Sequence, residues 1–234
     1  MFERIGKKLL LLVFQPIINL LIALKVTPNM ITTIGVLLNA VAACVFVYGA
    51  EKLDRDSLTI VGWGGFWILI GGLFDVFDGQ VARTTGQSSK FGALYDSVLD
   101  RYSELIMFFG ICFYLISHHY LKTSMAAFIA MIGSIMVSYV RSRAEGLGIE
   151  CKVGMMQRPA RVVLVGAGAM FTGLFYHFFG DYKYYIDGME KPFFEPMFIF
   201  ALPILLVAIF ANFTAFHRLQ HCKGELEKLE KNKK

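Results

Sequence analysis

Cysteine, proline and charged residues are all scarce in this chain. Its 234 residues include four cysteines and six prolines, and charged residues make up 18% of the total. An ordinary soluble domain carries about 25% charged residues, so the composition argues against a soluble globular protein. No Cys-x-x-Cys pair occurs, and the cysteine spacing predicts reduced thiols and no structural disulfide.

The chain is rich in apolar residues. They make up 56% of the chain, and the mean hydropathy is +0.57. Apolar runs of about 20 residues recur, and each is long enough to cross a bilayer as a helix. We expect one all-α integral membrane domain with six transmembrane helices, at about 29–49, 58–83, 91–117, 123–143, 159–179 and 194–216.

The first segment, residues 2–24, begins with basic residues and continues with apolar ones. This pattern predicts an amphipathic helix that lies in the headgroup region, although an ordinary first span is the alternative. Pro16 near its centre disfavours that alternative. The expected domains are therefore 1–25 as an interfacial helix, 26–217 as a six-helix membrane domain and 218–234 as a charged cytoplasmic tail.

Lysine and arginine predict the orientation, because cytoplasmic loops carry an excess of these residues. Most of them fall in the N-terminal segment, the 84–90 turn, the 144–158 loop and the tail, or at the span ends beside these segments. The other side receives only Lys52, Arg55, Lys122, Lys183 and Lys191. We therefore expect the first group, and the acidic motif beside the 84–90 turn, to face the cytoplasm.

Four aspartates interrupt the second and third apolar runs. Each acid at membrane depth costs roughly 2.5–3.5 kcal/mol on insertion scales, so the group needs a cation or a water-filled cavity. Asp75 and Asp78 are spaced i, i+3 and Asp96 and Asp100 i, i+4, so each pair shares one helix face. Because a short turn joins the two spans, we expect them to be antiparallel neighbours whose carboxylates converge.

The residues around these acids indicate phosphoryl-transfer chemistry. Carboxylate oxygens without nearby cysteine or histidine favour a hard cation, Mg²⁺ or Mn²⁺. Gly79, Ala82 and Gly92 are small and leave room for a substrate close to the backbone. Arg83, one turn beyond Asp78, suits a phosphate or pyrophosphate. Metal ions in such sites neutralise phosphate charge, and a carboxylate can accept the proton of the nucleophile.

The run from Asp75 to Asp100 reads Asp-x2-Asp-Gly-x2-Ala-Arg-x8-Gly-x3-Asp-x3-Asp. It resembles the signature of the CDP-alcohol phosphotransferases at all eight fixed positions. The resemblance implies a Mg²⁺- or Mn²⁺-dependent membrane enzyme, with two ions, usually a homodimer. Such an enzyme moves a phosphatidyl group from CDP-diacylglycerol to an alcohol and releases CMP. It also implies a bacterial inner membrane location, contact with membrane lipid and no nucleic-acid partner.

The resemblance also implies roles for individual residues. The four aspartates are expected to bind metal, and Asp100 is in addition the expected general base. The Pro-Asn-x-x-Thr segment that opens the first span is similar to the family's nucleotide-pocket segment. The expected contacts to the CDP headgroup are Asn29, Thr32, Gly79, Ala82, Arg83 and Ser89.

A cationic segment predicts the class of acceptor. The positive residues are Arg141, Arg143, Lys152, Arg158 and Arg161, of which Arg143 and Lys152 are the weaker candidates. Such charge suits an acceptor that carries its own phosphate. The segment resembles the family branch that makes phosphatidylinositol phosphate from inositol 1-phosphate, although Ala160 departs from the expected acidic residue. Glycerol 3-phosphate, the acceptor of phosphatidylglycerophosphate synthase, is the main alternative.

Two other interpretations compete with this one. Arginines at cytoplasmic span ends are often topology signals or lipid-headgroup contacts. A cation transporter would also explain intramembrane acids. It would not explain Gly79, Ala82, Arg83 and Gly92 at the spacing of the family motif.

Overall fold

The structure, a computed structural model, describes residues 2–54, 57–186 and 192–231, and side chains from residue 13 onward. Of the residues used in the charge argument, Arg55, Lys191 and the last two lysines lie outside this description, as do the side chains of the N-terminal basic residues. Seven helices are described: α1 Phe2–Ala23, α2 Pro28–Lys52, α3 Thr59–Thr85, α4 Lys90–Ser117, α5 Leu121–Gly146, α6 Arg158–Phe179 and α7 Met197–Lys231.

Five of the described helices, α2, α3, α5, α6 and α7, are long and apolar enough to cross a membrane. Helix α4 has 28 residues, but four charged residues, Asp96, Asp100, Arg101 and Glu104, lie among its first 15. The protein is therefore an all-α integral membrane protein, as the composition predicted. Each predicted span corresponds to one helix, and the ends of the first five differ from the prediction by at most three residues. The last helix, α7, begins three residues after the predicted start of the sixth span and continues well beyond its predicted end.

Local capping positions the helices that carry the acidic motif. The Thr27 hydroxyl accepts a hydrogen bond from the amide of Met30 at 3.4 Å at the start of α2. The Ser89 hydroxyl accepts one from the amide of Gly92 at 2.9 Å at the start of α4. Gly86 ends α3 with φ of 70°, a conformation that glycine adopts without strain. These caps fix a short turn between the two acidic helices.

Helices α2 to α7 pack as a closed ring in the order α2, α3, α6, α7, α5, α4. The expectation that α3 and α4 pack directly on each other is wrong, because each packs mainly on α2. The two helices therefore diverge from their common turn, and the space between them is available to a ligand. Helix α1 packs on α3, where Ile18 lies in an apolar cluster with Phe77 and Val81.

The centre of the ring is filled by aromatic side chains from three helices. Phe46 of α2, Tyr114 of α4 and Phe200 of α7 are all fully buried. Phe46 stacks on Phe200 with ring centroids 6.1 Å apart and meets Tyr114 edge-on at 5.8 Å. Buried aromatic rings contribute large apolar contact areas, so this cluster anchors the half of the bundle away from the acids.

Helix α7 continues without a break past residue 218, where the sequence predicted the charged tail to begin. Arg218 is buried, and its guanidinium donates to the carbonyls of Val153 at 2.7 Å and Val137 at 2.8 Å. Cys222 is also buried, in a cluster with Cys151 of the 147–157 loop. Burial raises the pKa of the Cys151 thiol to about 11, so it packs as a neutral group. The start of the predicted tail therefore belongs to the packed structure.

The backbones of two helices come into close contact where α3 crosses α6. A Cβ atom on Gly173 would lie 2.4 Å from the Cα of Gly62, and one on Gly62 would lie 2.8 Å from the Cα of Gly173. Real Cβ atoms do not approach backbone so closely. Two glycines at this crossing therefore let the backbones touch, a device common in membrane helix pairs.

We expect Gly173→Ala to lower the stability of the folded protein by about 1–3 kcal/mol, because the added methyl group overpacks the α3–α6 crossing. Thermal unfolding in detergent micelles measures this effect as a fall in Tm. Gly224→Ala is the matched control, since a Cβ at that helical position meets no atom within 4 Å. An unchanged Tm for Gly173→Ala would show that the crossing relaxes freely.

Candidate active site

The four motif aspartates lie near the facing ends of α3 and α4. Asp75 and Asp78 belong to the last turns of α3, and Asp96 and Asp100 to the first turns of α4. Asp78 is buried, and its Oδ2 accepts a hydrogen bond of 2.7 Å from the hydroxyl of Thr32 on α2. The Thr32 contact fixes one oxygen of Asp78 and leaves the other able to bind a ligand.

Arg158, the first residue of α6, joins the two acidic helices. Its Nη1 lies 2.6 Å from Oδ2 of Asp75 and 2.7 Å from Oδ1 of Asp100. Both contacts lie at ion-pair distance, and Oδ1 of Asp100 is buried without a hydrogen-bond partner among the described residues. The sequence predicted Arg158 as an acceptor contact and did not predict that it pairs with the motif acids.

The donor chemistry of this site fits a hard divalent cation. The four carboxylates supply oxygen ligands only, and Oδ1 of Asp100 lacks an aligned hydrogen-bond donor among the described residues. Among those residues, no three acidic, histidine or cysteine side chains are grouped tightly enough to hold an ion as they stand. The acids are instead arranged around the guanidinium of Arg158.

A first cavity, of about 210 Å³, lies between the starts of α2 and α4 and the end of α3. Asp78 and Asp96 form part of its wall. The six residues that sequence analysis assigned to the CDP headgroup all line it, namely Asn29, Thr32, Gly79, Ala82, Arg83 and Ser89. The Arg83 guanidinium donates to Gln80 at 3.1 Å from an exposed position. The structure therefore brings this predicted set together in one chamber.

Gly92 explains one fixed position of the motif. A Cβ atom there would lie 3.1 Å from Oγ of Ser89 and 3.4 Å from Oδ1 of Asn29. A larger residue would push these two polar groups apart or fill the space between them. The small residue thus preserves the wall of the first cavity.

A second cavity, of about 290 Å³, lies between α4, α5 and the start of α6. It shares Asp96 with the first cavity and is also bordered by Asp100. Hydroxyl and amide groups face it from Ser97, Ser138, Ser142 and Gln157. Five arginines contribute to its lining: Arg101, Arg141, Arg158, Arg161 and Arg218.

These arginines differ in how firmly the protein holds them. Arg161 is fully buried, and its guanidinium donates to both carboxylate oxygens of Glu104, at 2.8 and 3.1 Å, and to the carbonyl of Met156 at 2.9 Å. Arg141 is half-exposed and pairs with Glu145 at 2.8 Å. Arg141 is therefore accessible to an anion in the cavity, whereas the guanidinium of Arg161 is hydrogen-bonded to Glu104 and Met156.

The other two predicted cations lie outside the second cavity. Arg143 lines a separate groove between α5 and α7. Lys152 is exposed and pairs with Glu150 at 2.5 Å. Their lower rank in the sequence analysis agrees with these positions.

Sequence reasoning missed two residues that line the second cavity and one, Glu104, that pairs with its wall residue Arg161. Glu104 follows Asp96 and Asp100 at the next four-residue step of α4, so helical periodicity could have identified it. Arg101 was counted only as a topology charge, yet it lines the cavity and donates to the hydroxyl of Ser97 at 2.8 Å. Arg218 reaches the cavity from α7, and only the tertiary fold reveals this contact.

Comparison with known proteins identifies the family. The sequence profile of the CDP-alcohol phosphatidyltransferases matches residues 25–210. A phosphatidylinositol phosphate synthase of Mycobacteroides abscessus is 32% identical over 163 residues, which cover 69% of this chain and 70% of the relative. An archaetidylinositol phosphate synthase of Pyrococcus horikoshii is 32% identical over 173 residues, or 74% and 78% of the two chains.

Solved structures agree with this assignment. The crystal structure of Mycobacterium tuberculosis phosphatidylinositol phosphate synthase with CDP-DAG bound has a TM-score of 0.67 and 26% identity, covering 88% of this chain and 92% of the other. The same enzyme in complex with manganese and citrate has a TM-score of 0.68, covering 88% and 87%. The chain belongs to the CDP-alcohol phosphatidyltransferase family and is a transferase enzyme.

We expect Glu104→Ala to destabilise the protein by about 3–5 kcal/mol, because it leaves the Arg161 guanidinium buried without its partner. The double variant Glu104→Met/Arg161→Met should recover most of this loss, since apolar side chains can replace a buried ion pair. Thermal unfolding in detergent measures both effects. Lys228→Ala, which removes an exposed pair with Glu225, should leave Tm unchanged.

The double variant also tests the predicted role of Arg161 in acceptor binding. If Arg161 only supports the cavity wall, a folded double variant keeps the KM of the wild type for the acceptor. A raised KM for the acceptor in a double variant of wild-type stability would instead support the direct contact between Arg161 and the acceptor that the sequence predicted.

Proposed function

We propose that this enzyme transfers the phosphatidyl group of CDP-diacylglycerol to inositol 1-phosphate, giving phosphatidylinositol phosphate and CMP. The observation that carries the proposal is the cation-lined second cavity, which meets the first cavity at Asp96. The two chambers can hold a nucleotide and a phosphorylated acceptor on either side of the acids. The names of the relatives from Mycobacteroides and Mycobacterium support the same substrates.

The donor occupies the first cavity in this proposal. The CDP headgroup lies against the small residues Gly79 and Ala82, with Asn29, Thr32 and Ser89 as polar partners. The Arg83 guanidinium contacts the pyrophosphate, because charge-assisted bonds between arginine and phosphate are short and strong. The exposed position of Arg83 at this wall supports the assignment.

The metal ligands in this proposal are Asp75, Asp78, Asp96 and Asp100, which hold two Mg²⁺ or Mn²⁺ ions. When bound, such ions neutralise charge on the diphosphate and polarise its phosphorus–oxygen bonds. Thr32 holds one oxygen of Asp78 in place and so orients that ligand. The manganese complex of the Mycobacterium enzyme supports this choice of metal.

Asp100 is the proposed general base. It borders the second cavity, whereas Asp78 borders the first, so Asp100 faces the acceptor. Its carboxylate accepts the proton of the acceptor hydroxyl as the oxygen forms a bond to the lipid-linked phosphorus of CDP-diacylglycerol. The bond between that phosphorus and the bridging oxygen breaks, and CMP leaves with the electron pair.

The second cavity binds the acceptor in this proposal. Arg141 and Arg158 contact its phosphate, and Arg161 either contacts it or supports the wall through Glu104. The hydroxyl and amide groups of Ser97, Ser138 and Gln157 offer partners for the ring hydroxyls of a polyol. A neutral acceptor would gain little from these positive charges.

The membrane arrangement completes the proposal. We propose that α4 is a sixth span and that α1 lies in the interface, with the active site on the cytoplasmic side of a bacterial inner membrane. The excess of lysine and arginine at that end of the bundle supports this orientation. We also propose a homodimer, on the basis of the family resemblance.

A panel of acceptors tests the proposed substrate. With CDP-diacylglycerol as donor, the kcat/KM for inositol 1-phosphate should be about two orders of magnitude or more above that for free inositol. The reason is that its phosphate gains two charge-assisted contacts with arginine, each worth roughly 1.5–3 kcal/mol. CMP release measures the rate, and EDTA should abolish it. Preference for free inositol or serine would contradict the proposal. Preference for glycerol 3-phosphate would retain the phosphorylated acceptor and change its identity.

Two neighbouring arginines give a matched control for this panel. Arg141→Gln should raise the KM for the acceptor and leave the KM for CDP-diacylglycerol unchanged, since Arg141 lines only the second cavity. Arg143→Gln, two residues further along α5, should change neither value because Arg143 lies in a different groove.

We expect Asp100→Asn to lose about two to four orders of magnitude in kcat while CDP binding changes little, because the base acts only when the hydroxyl attacks. Single-turnover CMP release measures the chemical step, and equilibrium dialysis with labelled CDP-diacylglycerol in micelles measures donor binding. Asp78→Asn should weaken donor binding as well. A kcat within a few-fold of wild type for Asp100→Asn would remove the base assignment.

A further inference from the structure

Two arginines one turn apart on α6 are held in very different ways. Arg161 makes three well-formed hydrogen bonds to Glu104 and the carbonyl of Met156. The shortest contacts of Arg158 to its two acidic partners both run through Nη1, and its Nε is buried without a hydrogen-bond partner among the described residues. Arg161 is therefore fixed by hydrogen bonds, whereas the Nε donor of Arg158 is unused.

The contacts of Arg158 coincide with the proposed metal ligands. Its guanidinium touches one carboxylate from α3 and one from α4, at 2.6 and 2.7 Å. A divalent cation that binds these same oxygens repels the guanidinium at short range, and the low dielectric of the site strengthens that repulsion. The guanidinium and a metal ion therefore compete for Asp75 and Asp100.

A destination for the displaced guanidinium lies beside these acids. Arg158 lines the second cavity together with Asp100, so its side chain already stands at the boundary between the acids and that chamber. The phosphate of an acceptor in the second cavity can pair with the guanidinium once the acids no longer hold it. Arg158 then exchanges one anionic partner for another without leaving the site.

We propose that Arg158 is an exchange cation that neutralises Asp75 and Asp100 until a divalent ion binds them, and then pairs with the acceptor phosphate. Binding of the metal and binding of the phosphate are thereby coupled, because each favours the position of Arg158 that the other needs. This inference rests on the proposed metal role of the aspartates. It assigns Arg158 a positioning role that neither the sequence motif nor the acceptor assignment contains.

Mn²⁺ binding to the detergent-solubilised full chain, followed by electron paramagnetic resonance, tests the competition. Arg158→Gln should lower the Kd for Mn²⁺ by on the order of tenfold, a typical magnitude for coupled sites. A residue that merely supported the site would give the opposite result, since its loss would weaken metal binding. Arg141→Gln removes a charge from the same cavity without touching the acids, and its Kd should stay within about twofold of wild type.

Inorganic phosphate as a second probe tests the coupling. Saturating phosphate should tighten Mn²⁺ binding to the wild type by about fivefold or more, and this effect should vanish in Arg158→Gln. If phosphate tightens metal binding equally in the variant, direct attraction between phosphate and metal explains the coupling and the exchange model is overturned. If Arg158→Gln does not fold, Arg158→Lys, which cannot span both acids in the same way, should show a smaller shift in the same direction.

The outcomes separate this inference from the proposed metal site. If Mn²⁺ fails to bind the wild type, or binds equally well to Asp78→Asn, the metal role of the aspartates is wrong and the inference falls with it. If Mn²⁺ binding needs Asp78 but Arg158→Gln binds it no more tightly than wild type, the inference alone is wrong.

Discussion

The neutralisation of carboxylates at membrane depth is the constraint on which the rest of this structure depends. Four acids in α3 and α4 need positive charge or water there, and the protein itself brings one guanidinium, from the start of α6, into contact with two of them. The Arg158 contact requires three helices to meet at one end of the bundle. The closed ring satisfies this requirement, because α6 packs on α3 while α4 is held against α2 and α5.

Helix α4 is the element that the two cavities share. Its first turns wall the first cavity on one side and the second cavity on the other, and Asp96 belongs to both. One turn further, Asp100 faces the second chamber, and Glu104 then locks the helix to α6 through Arg161. In the proposed mechanism, the i, i+4, i+8 series of acids on α4 comprises a metal ligand, the general base and the partner of a buried arginine.

The sequence predicted the helices and the residues that line the first cavity well, because both depend on local patterns. Hydrophobic length located the spans, and the 26-residue motif contained most of the first cavity. The lining of the second cavity depends on contacts between distant segments and was predicted less well. A count of charged residues does not reveal that Arg161 pairs with Glu104 or that Arg158 pairs with motif acids. Nor does it reveal that Arg218 of α7 lines the second cavity. The short turn between α3 and α4 suggested that these helices pack directly on each other, but each packs mainly on α2.

The order of helices in the ring also constrains how the chain is made. Synthesis proceeds from the N-terminus, so α3 and α4 emerge before the segment that carries Arg158. More than fifty residues separate Asp100 from its arginine partner. During that interval the nascent acidic helices lack their partner from α6, so their carboxylates need water or another cation until α6 arrives. The position of one arginine thus makes the late-emerging α6 a condition for the stable residence of α3 and α4 in the bilayer.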